Sequence, residues 1–398
     1  MGSLFSALNI ARSGLLSAQI QLDVAGHNIS NVNTPGFSRQ RAMLNTQVPS
    51  RFGYGVLGRG VGVTNIERAR DPFLDQVFRR QAPAVAGAEV RTRFYALLED
   101  SFHDPGANGF SERINAFFDS VNDFTNNVEI LPAREALLAE AQTLATSFNQ
   151  LGDRFAALRT DANNGISAIV DELNAQAAQV ARLNDQIPRL ESSGREANDL
   201  RDERDVILDD LARLADVTVR ENAHGQVDIL IGNGALVTGS VVQRLEAVRN
   251  PAIDPSRPDF VEVRFAGSGR VIDVQDGELG AAFDVRDTIV PGFQDRLDTL
   301  ARTFIREVNN VHAQGQGLEN LSGTLVSDNA VSASGAPLIS AGLPFDVTPG
   351  TFDIVTYDAA GTPTTTTISI TAATSLDDLA SDISAIGGLS AAVSGGRL

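Results

Sequence analysis

Apolar residues at Leu4, Leu8, Ala11, Leu15, Ala18, Leu22, Ala25 and Ile29 are separated by alternating steps of four and three. Alternation of this kind is the heptad pattern of an α-helix that needs a partner helix along one seam. The pattern runs into Asn28-Ile-Ser-Asn-Val-Asn-Thr-Pro-Gly-Phe37, a stretch rich in turn formers. Asn28, Asn31 and Asn33 carry short polar side chains, and Thr34-Pro35-Gly36 fits a turn in which Pro fixes φ and Gly accepts a positive one. A helix that begins near the first residue, has a seam to fill and ends at a fixed turn before Phe37 predicts assembly rather than catalysis.

Beyond the turn, residues 38–48 and 56–66 read as extended, with glycine-rich sequence between them, and Asp71 to Glu99 reads as a helix interrupted near Pro83. From Ser111 to Thr125, Ile114, Phe117, Phe118 and Val121 share one helical face. The middle of the chain is dominated by residues 133–190. There Leu137, Ala141, Leu144, Phe148, Leu151, Phe155 and Leu158 keep the four-three spacing, and Ile166, Ile169, Leu173, Val180, Leu183, Ile187 and Leu190 continue it. Asn163-Asn164-Gly165 marks a possible break. If continuous, this element is a rod of roughly 85 Å at about 1.5 Å per residue. A turn at Ser192-Ser193-Gly194 returns the chain through Leu200, Ile207, Leu211 and Leu214, which predicts an elongated antiparallel bundle.

The period changes at Asp216. Val217 to Arg220 and Val227 to Ile231 bracket a hairpin turn at His224-Gly225, and Asn233-Gly234 marks another. Val261 to Phe265 and Arg270 to Val274 predict a further pairing around Gly267-Ser-Gly269. Helix resumes by Gln294, with Leu297, Leu300, Phe304, Val308 and Val311 as its stripe. From Gly323 the composition shifts to Ser, Thr, Ala and Gly. There Phe352 to Val355 and Thr366 to Ile370 flank a turn, Ser375 caps a short helix, and Leu389 to Leu398 read as a strand just beginning, in a chain expected to be cut short. The expected fold is multidomain α+β. It comprises an N-terminal coiled-coil-type helix, signature turn and extended segment (1–75), an elongated helical bundle (76–215), an inserted small β domain (216–280), a returning bundle helix (281–320) and a C-terminal β-rich α+β domain (321–398).

Composition narrows the function. A net charge of −18 and a pI near 4.6 argue against nucleic acid or an anionic membrane face as the main partner. Every one of the 32 basic residues is arginine, and there is no cysteine, which removes disulfides and thiolate metal sites and suits a protein that crosses a membrane unfolded. No run of about 18 apolar residues predicts membrane insertion. The first positive charge, Arg12, lies inside the amphipathic helix, so the order of a cleaved signal peptide is missing. The expectation is a chain that is cytoplasmic or exported by a route reading no cleaved signal.

Catalytic, cofactor and metal chemistry is not expected. Gly53-Tyr-Gly55-Val-Leu-Gly58 matches the dinucleotide fingerprint by letter, but Gly60 and Gly62 follow where a helix should open. His27, His103, His224 and His312 are far apart and lack helical ligand spacing. Asp202, Glu203, Asp205, Asp209 and Asp210 read as a solvated helical face interleaved with Arg201, Arg204 and Arg213. The patches Phe78-Arg79-Arg80 and Arg91-Thr-Arg93-Phe94-Tyr95 read as arginines for carboxylates of packed subunits.

The stretch Asn28 to Phe37 resembles the N-terminal signature of bacterial flagellar rod, hook and hook-associated proteins. Gly62 to Arg68 through Asp71-Pro-Phe-Leu74, Ala133 to Leu138 with Phe148 to Leu151, Asn198 to Arg204, Phe283 to Asp287, and Val311 to Gly315 are similar to the hook-associated branch, which joins hook to filament. The resemblance implies a structural axial protein of the flagellum, outside the cell, with no catalysis. It would meet copies of itself in a ring, the hook protein and the next junction protein. Export would use the flagellar type III apparatus and an export chaperone. The resemblance also implies that the N-terminal helix pairs with a second heptad helix at the far end of such proteins, which this sequence stops short of. A hook or distal-rod subunit shares the first signature, and a surface enzyme or adhesin on a flagellar-type stem is the reading of a different class.

Overall fold

The structure is a computed structural model describing residues 2–52, 55–102, 104, 106, 109–192, 194–315 and 323–398. Gly53 and Tyr54 of the glycine-rich loop, His103 and Ser193 lie outside the described residues. Contacts gather the multidomain α+β chain into two compact units, Met1–Gln314 and Gly315–Leu398.

In the first unit, α1 (Gly2–Ser30) packs on an antiparallel pair made by β1 (Gln40–Thr46) and β4 (Val61–Arg68). A small hairpin, β2 (Ser50–Phe52) with β3 (Gly55–Leu57), lies between them in sequence. Ile10, Ser13, Ser17, Ile20, Val24 and His27 are among the shielded positions of α1. Their steps of three and four make a second face beside the leucine seam. Small residues there admit close approach. Gly60, at φ +101°, lies where a β-carbon would collide with the Ser13 hydroxyl, and that hydroxyl accepts the Val61 N–H at 3.3 Å.

Four helices form the body: α2 (Pro72–Phe102), α3 (Phe110–Asn126), α4 (Leu131–Glu191) and α5 (Asn198–Leu214). The break expected at Pro83 does not occur. Ala82, Pro83, Ala86, Gly87 and Val90 are buried in α2, and this small-residue stripe lets α2 lie against α5 and a later helix. That packing outweighs the roughly 3 kcal/mol cost of an interior proline. The possible break at Asn163 to Gly165 is also absent. Asn163 is buried and points its side chain at a strand, so α4 runs unbroken for 61 residues, close to 90 Å at about 1.5 Å per residue.

The β region folds onto the second half of α4. Strands β5 (Val217–Glu221), β6 (Val227–Ile231), β7 (Gly234–Thr238) and β8 (Val241–Val242) form an antiparallel sheet in sequence order. The partner of β10 (Val261–Phe265) is β9 (Leu245–Arg249), not the segment 270–274. That segment does turn back, with one bridge from Arg264 to Val271 and a bond from the Ile272 N–H to the Val263 carbonyl. It then diverges to bury Ile272 and Val274. One core joins Ile166, Leu173, Val180 and Ile187 of α4, Leu208 and Leu211 of α5, and Ile229, Ile231, Val263 and Phe265 of the strands.

The returning helix begins earlier than Gln294. Helix α6 (Gly277–Asp284) passes through a π turn at Val285–Ile289 into α7 (Val290–His312). Pro291 falls in the first turn of α7, where the widened turn has already released its missing donor. Val285, Val290 and Leu297 join Leu98, Phe110, Leu151 and Phe155 in a second core. Among the described residues no helix is long and apolar enough to cross a membrane.

In the second unit, β11 (Gly350–Tyr357) and β12 (Pro363–Ile370) form an antiparallel hairpin. Helix α8 (Leu376–Ser384) starts with a capping box between Ser375 and Asp378. Leu389 to Leu398 is not a strand. Gly395 and Gly396 take positive φ and fold the tail back, so that its carbonyls at Gly396 and Leu398 accept the N–H groups of Val331 and Ser327.

Candidate functional site

The seam is placed on the open side of α1. Leu8 is 64 % exposed, Leu15 and Leu22 73 %, and Ile29 74 %. Ala11, Ala18 and Ala25 between them are exposed as well, while the side chain of Leu4 lies outside the described residues. Phe5 and Leu16 widen this apolar stripe. A continuous leucine face on water has a hydrophobic reason to acquire a cover.

At its C-terminal end α1 is fastened by the turn. Asn28 donates from Nδ2 to the Gln40 carbonyl (2.9 Å) and accepts the Gln40 N–H at Oδ1 (2.8 Å). Its carboxamide therefore pairs with the start of β1 as a neighbouring strand would. Asn31 donates to the His27 carbonyl at 3.1 Å and accepts the Thr34 hydroxyl at 3.2 Å. The Thr34 N–H reaches the Asn31 carbonyl at 2.9 Å, and the Phe37 N–H reaches the Thr34 carbonyl at 3.2 Å. Asn33, Thr34 and Pro35 are exposed. Phe37 packs edge-on to His27, with ring centroids 5.3 Å apart. Gly36, at φ +79°, lies flat on α5, where a β-carbon would fall 2.0 Å from Cγ2 of Val206.

From there the contact with α5 is polar. Asp202 Oδ2 accepts the Ser38 N–H at 2.9 Å, and Asp199 accepts the Gln40 side chain at 2.8 Å. Arg68 reaches Asp202 at 2.9 Å and Asp205 at 2.7 Å. Arg70 bonds Asp75 and leans on Asp205 and Asp209, and Arg79 of α2 reaches Asp205 at 3.1 Å and Asp209 at 2.6 Å. Burial opposes ionisation of Asp205, but the bond from Arg68 and the nearby Arg70 and Arg79 charges win, holding its carboxyl below the usual range. For Asp209 burial prevails over Arg79 and Arg70, and its carboxyl is pushed up.

These contacts correct the reading of a solvated face. Glu203 and Asp210 do face water, but Asp202 and Asp205 are buried at 5 % and 8 % exposure. Arg204, at 2 %, bonds Asn184 and the Gly225 carbonyl. Arg79 and Arg91 are likewise engaged within the chain, Arg91 with Asp284 at 2.8 Å, rather than kept for another subunit. The missed signal was the spacing itself. Asp199, Asp202, Asp205 and Asp209 follow one another at three, three and four residues, one helical face opposite Arg68, Arg70 and Arg79.

An exposed heptad seam, a turn that fastens it and a long helical body define the class of a structural helical protein. Residues 8–37 match the profile of the flagella basal body rod protein family. The chain belongs to the flagellar hook-associated protein FlgK family, whose helical-domain profile matches residues 95–326. Flagellar hook-associated protein 1 of Escherichia coli is 31 % identical over 78 % of this chain and 57 % of its own length. The protein of that name from Bacillus subtilis is 24 % identical over 79 % of the chain and 68 % of its own. This chain thus spans somewhat over half the length of the Escherichia coli relative. A solved structure, the flagellar hook junction protein FlgK from Burkholderia pseudomallei, shares the fold with a TM-score of 0.53 at 22 % identity, over 75 % of this chain and 56 % of that one. A basal-body rod protein, FlgC of Borreliella burgdorferi, matches only 18 % of the chain at 31 % identity.

Proposed function

We propose that this chain is a non-catalytic axial component of the bacterial flagellum that joins hook to filament through self-assembly of its N-terminal helix. The observation that carries the reading is the leucine seam from Leu8 to Ile29, apolar at every heptad position and exposed along its whole described length. Covering it with a second heptad helix and with neighbouring copies would bury those side chains at about 25 cal/mol per Å² of apolar surface. The fastened turn fixes where the chain leaves that inner layer, and the helical body then forms the next layer outward. In this reading the partners are copies of the chain in a ring, the hook protein and the next junction protein, reached through the flagellar type III export apparatus with an export chaperone. The rod-type reading has support only from the shared first segment, whereas the helical body matches the hook-associated family.

Leu15→Asp places a charge in the middle of the seam while touching nothing in the body. The expected outcome is a variant that is made and exported, keeps the circular dichroism of the bundle, and fails to enter the flagellum, so that cells do not swim. Normal incorporation and motility of Leu15→Asp would sink the proposal.

A further inference from the structure

Among the described residues, 2–71 meet the helical body mainly through polar groups, with Gly36 on Val206 as an apolar touch point. The buried residues at this contact are Ser38, Gln40, Asn198, Asp202 and Asp205, and no residue before Ala82 enters either hydrophobic core of the first unit. Only 69–71, without regular structure, connect β4 to α2. Within the segment, α1 and the β1–β4 pair hold each other through Asn28 with Gln40 and Ser13 with Val61.

We propose that this contact is a charge-operated latch, at which residues 2–71 swing free of the body as one piece when Asp202 and Asp205 are neutralised, both parts staying folded. Arg68 and Arg70 ride on the swinging side, and Arg79 stays on the body. With the two aspartates neutral, three guanidiniums face one another across a poorly hydrated contact, with Asp209 and Asp75 as the nearest remaining carboxylates. A buried charge that has lost its partner is strongly destabilising, and here water is reached by opening the joint rather than by unfolding a core.

The groups facing Asp205 are Arg68 at the end of β4, Arg70 of the 69–71 connector, Arg79 from α2, and Arg204 and Asp209 from its own helix. On the flank, His27 of α1 stands 3.9 Å from Asp199, and Asn65 of β4 bonds Glu196. The sign follows from Asp205. A carboxyl held below its usual range stabilises the closed form above that range and loses the contribution as pH falls through its lowered value. Asp209, shifted the other way, takes its proton first, and by the same linkage that proton favours the closed form, so opening waits for Asp205.

The chain has no cysteine, so Thr46→Cys on β1 and Asp210→Cys on α5 can carry a pair of spin labels. The wild-type background is expected to give one narrow distance distribution at neutral pH. It should broaden severalfold below the ordinary carboxylate range, before far-UV helicity falls. Asp202→Asn with Asp205→Asn should show the broad distribution already at neutral pH, with helicity unchanged. Arg68→Gln, which alters no body residue, serves as the second variant if that pair loses helicity, and should broaden the distribution likewise. A distance that stays narrow in a helical variant, or that moves in the wild type only together with helicity, overturns the latch.

Discussion

At the residue scale the turn after α1 depends on two side-chain choices. Gly36 must be glycine twice over, for its positive φ and for its contact with Val206. Gly36→Ala is expected to cost about 1–2 kcal/mol from backbone strain alone, with the clash added. Val206→Ala should recover the clash and not the strain. Urea denaturation of the single and double variants checks this, and the prediction fails if the double variant matches Val206→Ala. Asn28→Ala removes both bonds to Gln40 and should cost about 1–2 kcal/mol, seen as faster hydrogen exchange at the start of β1. The turn was legible because Thr34-Pro35-Gly36 carries its geometry locally. What Gly36 rests on was not, since Val206 lies 170 positions away in sequence.

At the element scale, periodicity found the long helices and misjudged their interruptions. Pro83 and Asn163 are breakers by local propensity, and tertiary packing overrides both. Asn163, Asn174 and Asn184 belong to one device. Asn163 accepts the Val261 N–H, and Asn174 takes both the N–H and the carbonyl of Leu245. Asn184 binds the Val227 N–H and carbonyl, the Gly239 carbonyl and Arg204. No sequence pattern announces this, because an asparagine on a helix reads the same whether it meets water or a strand edge. It also explains why β9 was missed and 270–274 overvalued, for the strand that pairs is the one α4 grips. Asn184→Leu keeps the branched shape but leaves the buried Val227 N–H unpaired and removes one bond of Arg204, and should cost about 2–3 kcal/mol. A chemical denaturation midpoint unchanged from wild type would refute the device.

At the scale of the whole molecule, an acidic surface sits over a few buried carboxylates with opposite pH behaviour. Asp216 joins α5 to β5, and its Oδ1 is buried without a hydrogen-bond partner. Burial pushes its carboxyl up against the pull of its own backbone N–H, and Asp276 and Asp273 add to the rise. A raised carboxyl stabilises the fold below its usual range and loses that contribution as pH rises through the shifted value. Asp216→Asn should therefore raise Tm by a few degrees at neutral pH, the gain vanishing in acid, and a gain equal at both ends would contradict the assignment. The division into two compact units predicts two thermal transitions, separable by a calorimetric scan of the chain before and after limited proteolysis near Gly315.

The three asparagines of α4 also govern which changes of length the gene can tolerate. Asn163, Asn174 and Asn184 are 11 and 10 residues apart, near three full turns, or about 15–17 Å of helix between grips. One codon inserted or deleted between them rotates everything downstream by about 100°, turning a grip from the strands toward solvent. Upstream of Leu144 the helix holds no strand and packs on α3, so an added turn there shifts one helix pair and leaves the strand grips in phase. Reading-frame-preserving changes of length should accumulate in the first third of α4 and be purged from the rest.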